Sequence, residues 1–220
     1  MRVAALISGG KDSLFAAYKA SKENKLVCLI AIKSLNPDSF MFHHVNIDLV
    51  KLQAKAMELP LIFIETKGKK EEELKDLENA IQIAKEKYKI QGIVSGAIAS
   101  NYQKTRIENI FLMNKLNSIT PLWHTNVERY MNELIVDFNV IITAIAAEGL
   151  SKDMLGQRID LALIEKLKKL NVHLAGEGGE YESLVINCPL FKKSIKIIEA
   201  ETDIESEFTG KYIVKKAALT

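Results

Sequence analysis

Six residues near the start of the chain, Ser8-Gly9-Gly10-Lys11-Asp12-Ser13, combine groups suited to holding a polyphosphate. Two glycines let the backbone approach an anion, two serine hydroxyls can donate to its oxygens, and Lys11 adds a positive charge. The string follows the apolar run Val3–Ile7 and precedes Leu14, Phe15, Ala17 and Tyr18 at helical spacing, so it reads as strand, tight turn and helix. A helix start offers N–H groups without acceptors and the positive end of the helix dipole. The spacing is not G-x-x-x-x-G-K-[ST], and the telling difference is Asp12. A carboxylate inside a phosphate cradle is repulsive unless Mg2+ joins it to the ligand, since that ion takes carboxylate and phosphate oxygens together. The plainer alternative makes Gly9-Gly10 a turn and Asp12 or Ser13 a helix cap. The whole string at the end of a first strand favours a bound nucleotide.

Such a loop must be held by a sheet. Apolar runs at Leu26–Lys33, Leu61–Glu65 and Ile93–Ser95 read as further buried strands. Between them lie helical patterns over Asn46–Glu58, stopped by Leu59-Pro60, and over Glu71–Tyr88, whose Leu74, Leu77, Ile81, Ala84 and Tyr88 form one stripe. A helix over Tyr102–Leu116 follows. Strand–helix alternation predicts an α/β fold, an open parallel sheet with flanking helices. Ligands of such sheets sit beyond the carboxyl ends of the strands, where Ser8–Ser13, Lys33 and Gly96 would converge. After Pro121-Leu122-Trp123 the texture changes: Val127–Val136 and Asp160–Leu170 look helical, Val140–Ala144 strand-like. Leu184–Ile186, Ile195–Ile198 and Tyr212–Val214 suggest antiparallel strands. A boundary near Pro121 divides the chain into residues 1–120, which carry the phosphate loop, and a smaller α+β domain, residues 121–220.

A chain of 220 residues can bury a sizeable core as one large or two small domains. Its net charge of only +2 gives no broad nucleic-acid-binding face, so stable nucleic-acid binding is not expected. Cys28 and Cys188 are far apart, which argues against a zinc site and a dithiol relay. The absence of a cleavable-signal pattern and of a membrane-spanning apolar run points to a cytoplasmic protein.

Several other residues have two readings. Arg106, four after Tyr102, shares its helix face near the sheet's carboxyl edge, and it is either a phosphate or carboxylate ligand or an exposed helical arginine. The adjacent His43 and His44 point oppositely in extended chain and cannot form a metal site together. Trp123 reads as core or interface, and Lys67–Lys75 as a solvated helix start. The string Gly176-Glu177-Gly178-Gly179-Glu180-Tyr181-Glu182-Ser183 is by default a flexible acidic turn.

The motif Ser8–Ser13 resembles the SGGxDS loop of the N-type ATP pyrophosphatases, the PP-loop superfamily, with its adenine nucleotide alpha hydrolase-like fold. That resemblance implies that ATP is bound and split between its α and β phosphates to adenylate a substrate. Gly96-Ala97-Ile98-Ala99-Ser100-Asn101-Tyr102-Gln103-Lys104-Thr105-Arg106 narrows it, as do Met41–Asn46, Pro121-Leu122-Trp123, Leu155-Gly156-Gln157-Arg158 and Gly176–Ser183. Together these resemble the diphthine–ammonia ligase family, from the first strand to about Phe191, with Ser183 standing where threonine is commoner. The resemblance implies amidation of diphthine on translation elongation factor 2 with ammonium, through an acyl-adenylate, releasing AMP and pyrophosphate. It implies ATP binding by Ser8, Gly9, Gly10, Lys11, Asp12, Ser13 and Gly96, with Mg2+ on Asp12. Lys11, Asp12 and Arg106 are then expected to be catalytic, and Tyr102, Gln103, Glu177, Glu180, Tyr181 and Glu182 to meet the substrate. Diphthine carries a trimethylammonium group, and an aromatic ring beside carboxylates suits such a cation. A homodimer is compatible with this reading. The rivals are a tRNA-modifying adenylation enzyme of the same fold and a sensor that holds ATP without turning it over. Near-neutral charge and the absent C-x-x-C count against the first.

Overall fold

A computed structural model describes residues 1–36, 45–98 and 101–220, with the side chains of residues 70, 71 and 101–106 outside the description. The first half alternates β1 (Arg2–Leu6), α1 (Lys11–Ser21), β2 (Lys25–Ser34), α2 (Val50–Met57), β3 (Leu61–Thr66), α3 (Lys70–Tyr88), β4 (Gly92–Val94), α4 (Asn101–Met113) and β5 (Asn117–Ile119). The five strands are ordered β3-β2-β1-β4-β5, and each adjacent pair is parallel. The open parallel α/β sheet expected from the strand–helix alternation is therefore present. From β1 the chain winds outward to β3, then returns to the other side of β1 for β4 and β5. The carboxyl ends of β1 and β4 thus flank the point where strand order reverses.

The central strands β1 and β2 are buried on both faces. Val3 and Ala5 of β1, with Leu29 and Ala31 of β2, face α1 and α2. Ala4, Cys28, Ile30 and Ile32 face the opposite way, against Leu77, Ala80, Ile81 and Ala84 of α3. Two-sided burial explains why these strands read as continuous apolar runs. β5 escaped the sequence reading because Asn117-Ser118-Ile119 is short and mostly polar, and its pairing with β4 supplies what its composition does not. The helix expected over Asn46–Glu58 opens instead with a 3₁₀ turn at Ile47–Leu49, and α2 proper begins at Val50. Asn46 has φ 71°, and its side chain bonds the backbone of Tyr212 and Val214, which holds the chain outside helical geometry there.

The second half contains α5 (Val127–Asp137), β6 (Asn139–Ala146), α6 (Leu161–Leu167), β7 (Tyr181–Asn187), β8 (Ile195–Ile204) and β9 (Thr209–Leu219). Asn126 and Asp160 cap α5 and α6 by accepting the N–H of Arg129 and Leu163, each at 2.9 Å. Asp160 is therefore the cap of its helix rather than its first turn. The four strands form an antiparallel sheet ordered β7-β6-β9-β8. β8 and β9 run past the apolar stretches that marked them because their outer residues are partly exposed. The hydrophobic core does not stop at Pro121: Phe15 of α1 meets Tyr130 and Phe138, and Val3, Leu14, Tyr130, Tyr181 and Val185 belong to one buried cluster.

Candidate active site

The loop Ser8–Ser13 leaves β1 where the sheet order reverses and runs directly into α1. Gly9 has φ +90°, a conformation L side chains rarely adopt, and a Cβ there would meet Gln53 Oε1 and Val50 Cγ1 of α2, each at 3.3 Å. Gly96, just beyond β4, lies flush on the first turn of α1. A Cβ there would come within 2.6 Å of the Ser13 amide nitrogen and 2.7 Å of the Asp12 carbonyl carbon. Gly96 therefore reaches the phosphate loop as the sequence suggested, and the contact is backbone to backbone.

The loop's own hydroxyls form a compact cluster. Ser13 Oγ accepts the Ser8 N–H at 3.2 Å, donates to the Gly10 carbonyl at 3.1 Å, and lies 3.3 Å from Ser8 Oγ. Gly10 donates to Ser8 Oγ at 3.4 Å. The first-turn amides of α1 have no intrahelical acceptors, and with the Lys11 N–H directed to Ser183 Oγ the donors offered to an anion are those of Asp12 and Ser13.

Contacts from elsewhere in the chain clamp it. The Gly9 carbonyl accepts the Val185 N–H of β7 at 3.0 Å and Gln53 Nε2, also at 3.0 Å. The same Gln53 nitrogen donates to the Val185 carbonyl at 2.9 Å, so one buried amide links loop, α2 and β7. The Lys11 N–H donates to Ser183 Oγ at 3.2 Å. These bonds assemble the loop at the seam between the parallel and antiparallel sheets.

Lys11 does not do what its charge suggested. Its side chain is only 2% exposed, and Nζ donates to Asp12 Oδ2 at 2.9 Å and to the Ala175 carbonyl. The Tyr181 ring lies 5.1 Å from the same ammonium. As the first residue of α1, Lys11 projects into the second module rather than into the open face of the loop. Its ammonium is a buried tie between the Ala175 carbonyl and Asp12, so the loop expected to use its charge on phosphate has that charge matched by a neighbouring carboxylate. Lys33, also expected nearby, is already matched by Asp48 at 2.6 Å and Glu65 at 3.7 Å.

Asp12 accepts Lys11 Nζ on Oδ2 and the Tyr130 hydroxyl on Oδ1 at 2.7 Å, while its side chain stays 32% exposed. A carboxylate has about four lone-pair sites, so two donors leave capacity for a cation. That is the donor chemistry Mg2+ prefers, and the residues present fit such an ion. Burial, and then the adjoining Asp12 charge, push the Tyr130 hydroxyl well above its ordinary pKa and keep it a donor.

The glycine–glutamate loop lies against this site but is organised by itself. Glu180 accepts the N–H of His173 at 2.9 Å and of Gly178 at 2.8 Å, so its carboxylate caps its own turn. Burial opposes that charge, yet the backbone bonds prevail and hold its pKa below the usual value. Tyr181 is buried, its hydroxyl donates to the Leu174 carbonyl at 2.8 Å, and its ring already faces Lys11. Tyr181 and Glu180, both expected to meet the substrate, thus already have partners within the protein. Glu182 accepts the Val45 N–H at 2.9 Å, and the Glu177 amide points to His173 Nδ1 at 3.3 Å. Tyr102, Gln103 and Arg106 lie in α4, their side chains outside the description, and His43 and His44 lie outside the described residues. Trp123 is half-buried, edge-on to His124 at 4.5 Å between ring centroids.

Family models for the two halves of one enzyme cover nearly the whole chain: the diphthamide synthase N-terminal domain matches residues 1–118 and the C-terminal domain residues 126–220. The chain belongs to the diphthamide synthase family. A diphthine–ammonia ligase of Rattus norvegicus is 37% identical over 232 residues, spanning 94% of this chain and 86% of its own. The Homo sapiens diphthine–ammonia ligase gives the same identity and coverage. That of Schizosaccharomyces pombe is 34% identical over 100% of this chain, which spans 40% of the yeast protein. A solved chain described as a predicted subunit of tRNA methyltransferase from Methanocaldococcus jannaschii aligns over 86% of this chain and 98% of its own. At TM-score 0.45 and 18% identity that likeness is too distant to argue from.

Sequence reading missed the residues that hold the loop Ser8–Ser13 in place. Tyr130 sits at an ordinary core position of an amphipathic helix and carried no signal. Gln53 did carry one: it is a polar residue beside Val50, Ala54 and Met57 on a helix face that is otherwise buried and apolar. The two thiols take no part, since burial pushes both up to about 12 and leaves them protonated at neutral pH. Among the described residues no helix is long and apolar enough to cross a membrane.

Proposed function

We propose that this chain amidates the diphthine carboxylate of translation elongation factor 2, using ATP and ammonium. The observation that carries the reading is the phosphate loop at the strand-order reversal, with a carboxylate held by two donors and still open to solvent, in a chain of this family. A diphthine carboxylate oxygen attacks the α-phosphorus of ATP, the α–β bridging P–O bond breaks, and pyrophosphate departs. Ammonia, having given up the proton of ammonium, attacks the acyl-adenylate carbonyl; AMP leaves, and the amide remains. The net products are amide, AMP, pyrophosphate and one proton.

The chain's part is positional and electrostatic. The Ser8 and Ser13 hydroxyls and the amides at the head of α1 bind the phosphates, and Gly9 and Gly96 let the backbone come close. Asp12 would hold Mg2+, which when bound offsets the charge gathering on departing pyrophosphate. Arg106, on α4 after β4, is assigned to the α-phosphate or the substrate carboxylate. Tyr102, Gln103, Glu177 and Glu182 are assigned to the substrate side, with Glu180 and Tyr181 shaping that loop rather than gripping the cation. Residues 1–120 form the ATP-binding part and residues 121–220 the substrate-binding part, in the cytoplasm.

Product analysis with purified protein, diphthine-bearing elongation factor 2, ATP and ammonium tests this. AMP and pyrophosphate should appear in step with amide. Substrate-dependent ADP and phosphate, or ATP binding without turnover, would overturn the reading.

A further inference from the structure

Tyr130 stands outside the phosphate loop, on a helix of the other module, yet its hydroxyl is 2.7 Å from Asp12 Oδ1. The ring is 1% exposed and packs at a tilt on Phe15, 5.2 Å between centroids, which leaves the hydroxyl little freedom to turn elsewhere. The opposite carboxylate oxygen is taken by Lys11 Nζ at 2.9 Å. Two donors on two oxygens fix the plane of the carboxylate, and the remaining lone pairs face its 32%-exposed side.

We infer that Tyr130 is a positioning residue: its buried hydroxyl sets the orientation in which Asp12 meets a divalent cation, and so links the α5 module to the phosphate loop. A hydrogen bond to a charged group is the stronger kind, and burial excludes the water that would replace it. A merely structural aromatic would serve as well without the hydroxyl, because Phe15 touches only the ring. Tyr18 provides the comparison. It belongs to the same aromatic cluster, 6.2 Å from Phe15 and 5.7 Å from Phe138, whereas the Asp12 carboxylate takes its hydrogen bonds from Lys11 and Tyr130. The inference rests on the ATP chemistry proposed above.

Its test compares wild type, Tyr130→Phe and Tyr18→Phe. Mn2+ uptake in the presence of α,β-methylene-ATP is followed by electron paramagnetic resonance, and steady-state kinetics are measured beside it. Tyr130→Phe should need about tenfold more Mn2+ for half-saturation. Its kcat should fall roughly tenfold to hundredfold, with KM for ATP changed by less than about threefold. Tyr18→Phe should match wild type in both. If Tyr130→Phe is indistinguishable from Tyr18→Phe, Tyr130 is a core aromatic and the inference fails while the ATP reading stands. Wild-type protein that takes up no Mn2+ with the analogue sinks the ATP reading, and this inference with it. Should Tyr130→Phe not fold, 3-fluorotyrosine placed at position 130 alone decides the matter. Its fluorine resonance should move when Mg2+ and the analogue are added together, and an unmoved resonance overturns the inference.

Discussion

The loop Ser8–Ser13 takes its fixed points from distant parts of the chain, whereas the loop His173–Tyr181 ties itself. In the first, Gln53, Val185, Ser183, Tyr130 and Gly96 all contribute from other elements. In the second, Glu180 closes on His173 and Gly178, and Tyr181 on Leu174. The two are joined where Lys11 reaches the Ala175 carbonyl. Both strings are rich in glycine and charge, and composition alone makes them look alike. The difference teaches that the phosphate loop's geometry depends on the packing of both modules, while the second loop keeps its shape by local bonds. Damage to the first should therefore spread to ATP, and damage to the second should stay where it is made.

The largest effect is expected at Asp12. Asp12→Asn keeps the size and one acceptor oxygen, enough for Tyr130 or Lys11 but not both, and removes the charge; turnover should fall ~10²–10³-fold. The more drastic Asp12→Ala leaves neither Tyr130 nor the buried Lys11 ammonium an acceptor at this position and should destabilise the protein by about 3 kcal/mol. Thermal melts separate the two: Asp12→Asn should melt nearer wild type than Asp12→Ala. Asp12→Asn with near wild-type turnover would reduce Asp12 to a structural tie.

Gln53→Ala comes next. It leaves the carbonyls of Gly9 and Val185 without this donor and opens a void, for a destabilisation of about 3 kcal/mol. ATP affinity measured by calorimetry should fall with it, because Gly9 is part of the loop. Retained affinity despite lowered stability would show that the loop holds its shape without outside help, which breaks the contrast drawn above.

Gly96→Ala should cost about 2 kcal/mol, since its Cβ would overlap the backbone of Asp12 and Ser13 rather than a movable side chain. Weaker ATP binding is the outcome to look for, with secondary structure unchanged by circular dichroism. An alanine variant that binds ATP normally would mean the first turn of α1 can shift at no expense to the site.

Glu180→Gln should have the smallest effect, about 1 kcal/mol at neutral pH, and should leave ATP binding untouched. Burial works against the Glu180 charge, but its bonds to the backbone amides lower the folded pKa below the unfolded value. Its stabilisation is therefore complete above the ordinary glutamate pKa of about 4.3 and is lost as pH falls through the lower, folded value. The melting difference between wild type and variant should close over that acidic window. A gap that persists into strong acid would mean the carboxylate's charge is not what holds the turn.

The amino-acid sequence by itself determined the alternation of strands and helices, because two-sided burial leaves unbroken apolar runs and one-sided helices leave stripes. It also singled out Ser8–Ser13, since glycines, hydroxyls and a carboxylate in that order suit an anion with its cation better than a plain turn and cap, and the family follows from the motifs spaced behind it. It could not say which way Lys11 points, because a lysine's charge is legible and its direction is not. It gave no sign of Tyr130 either, whose hydroxyl matters only because α5 packs on α1. Only the tertiary structure decided that Asp12 is held by Lys11 and Tyr130 together, and that Tyr181 turns its ring to Lys11 rather than outward. The physical reason is separation: Tyr130 and Asp12 are 118 residues apart, and Ser183 and Lys11 are 172 apart. Contacts of that kind exist only once two sheets, each specified locally, have closed on a shared core.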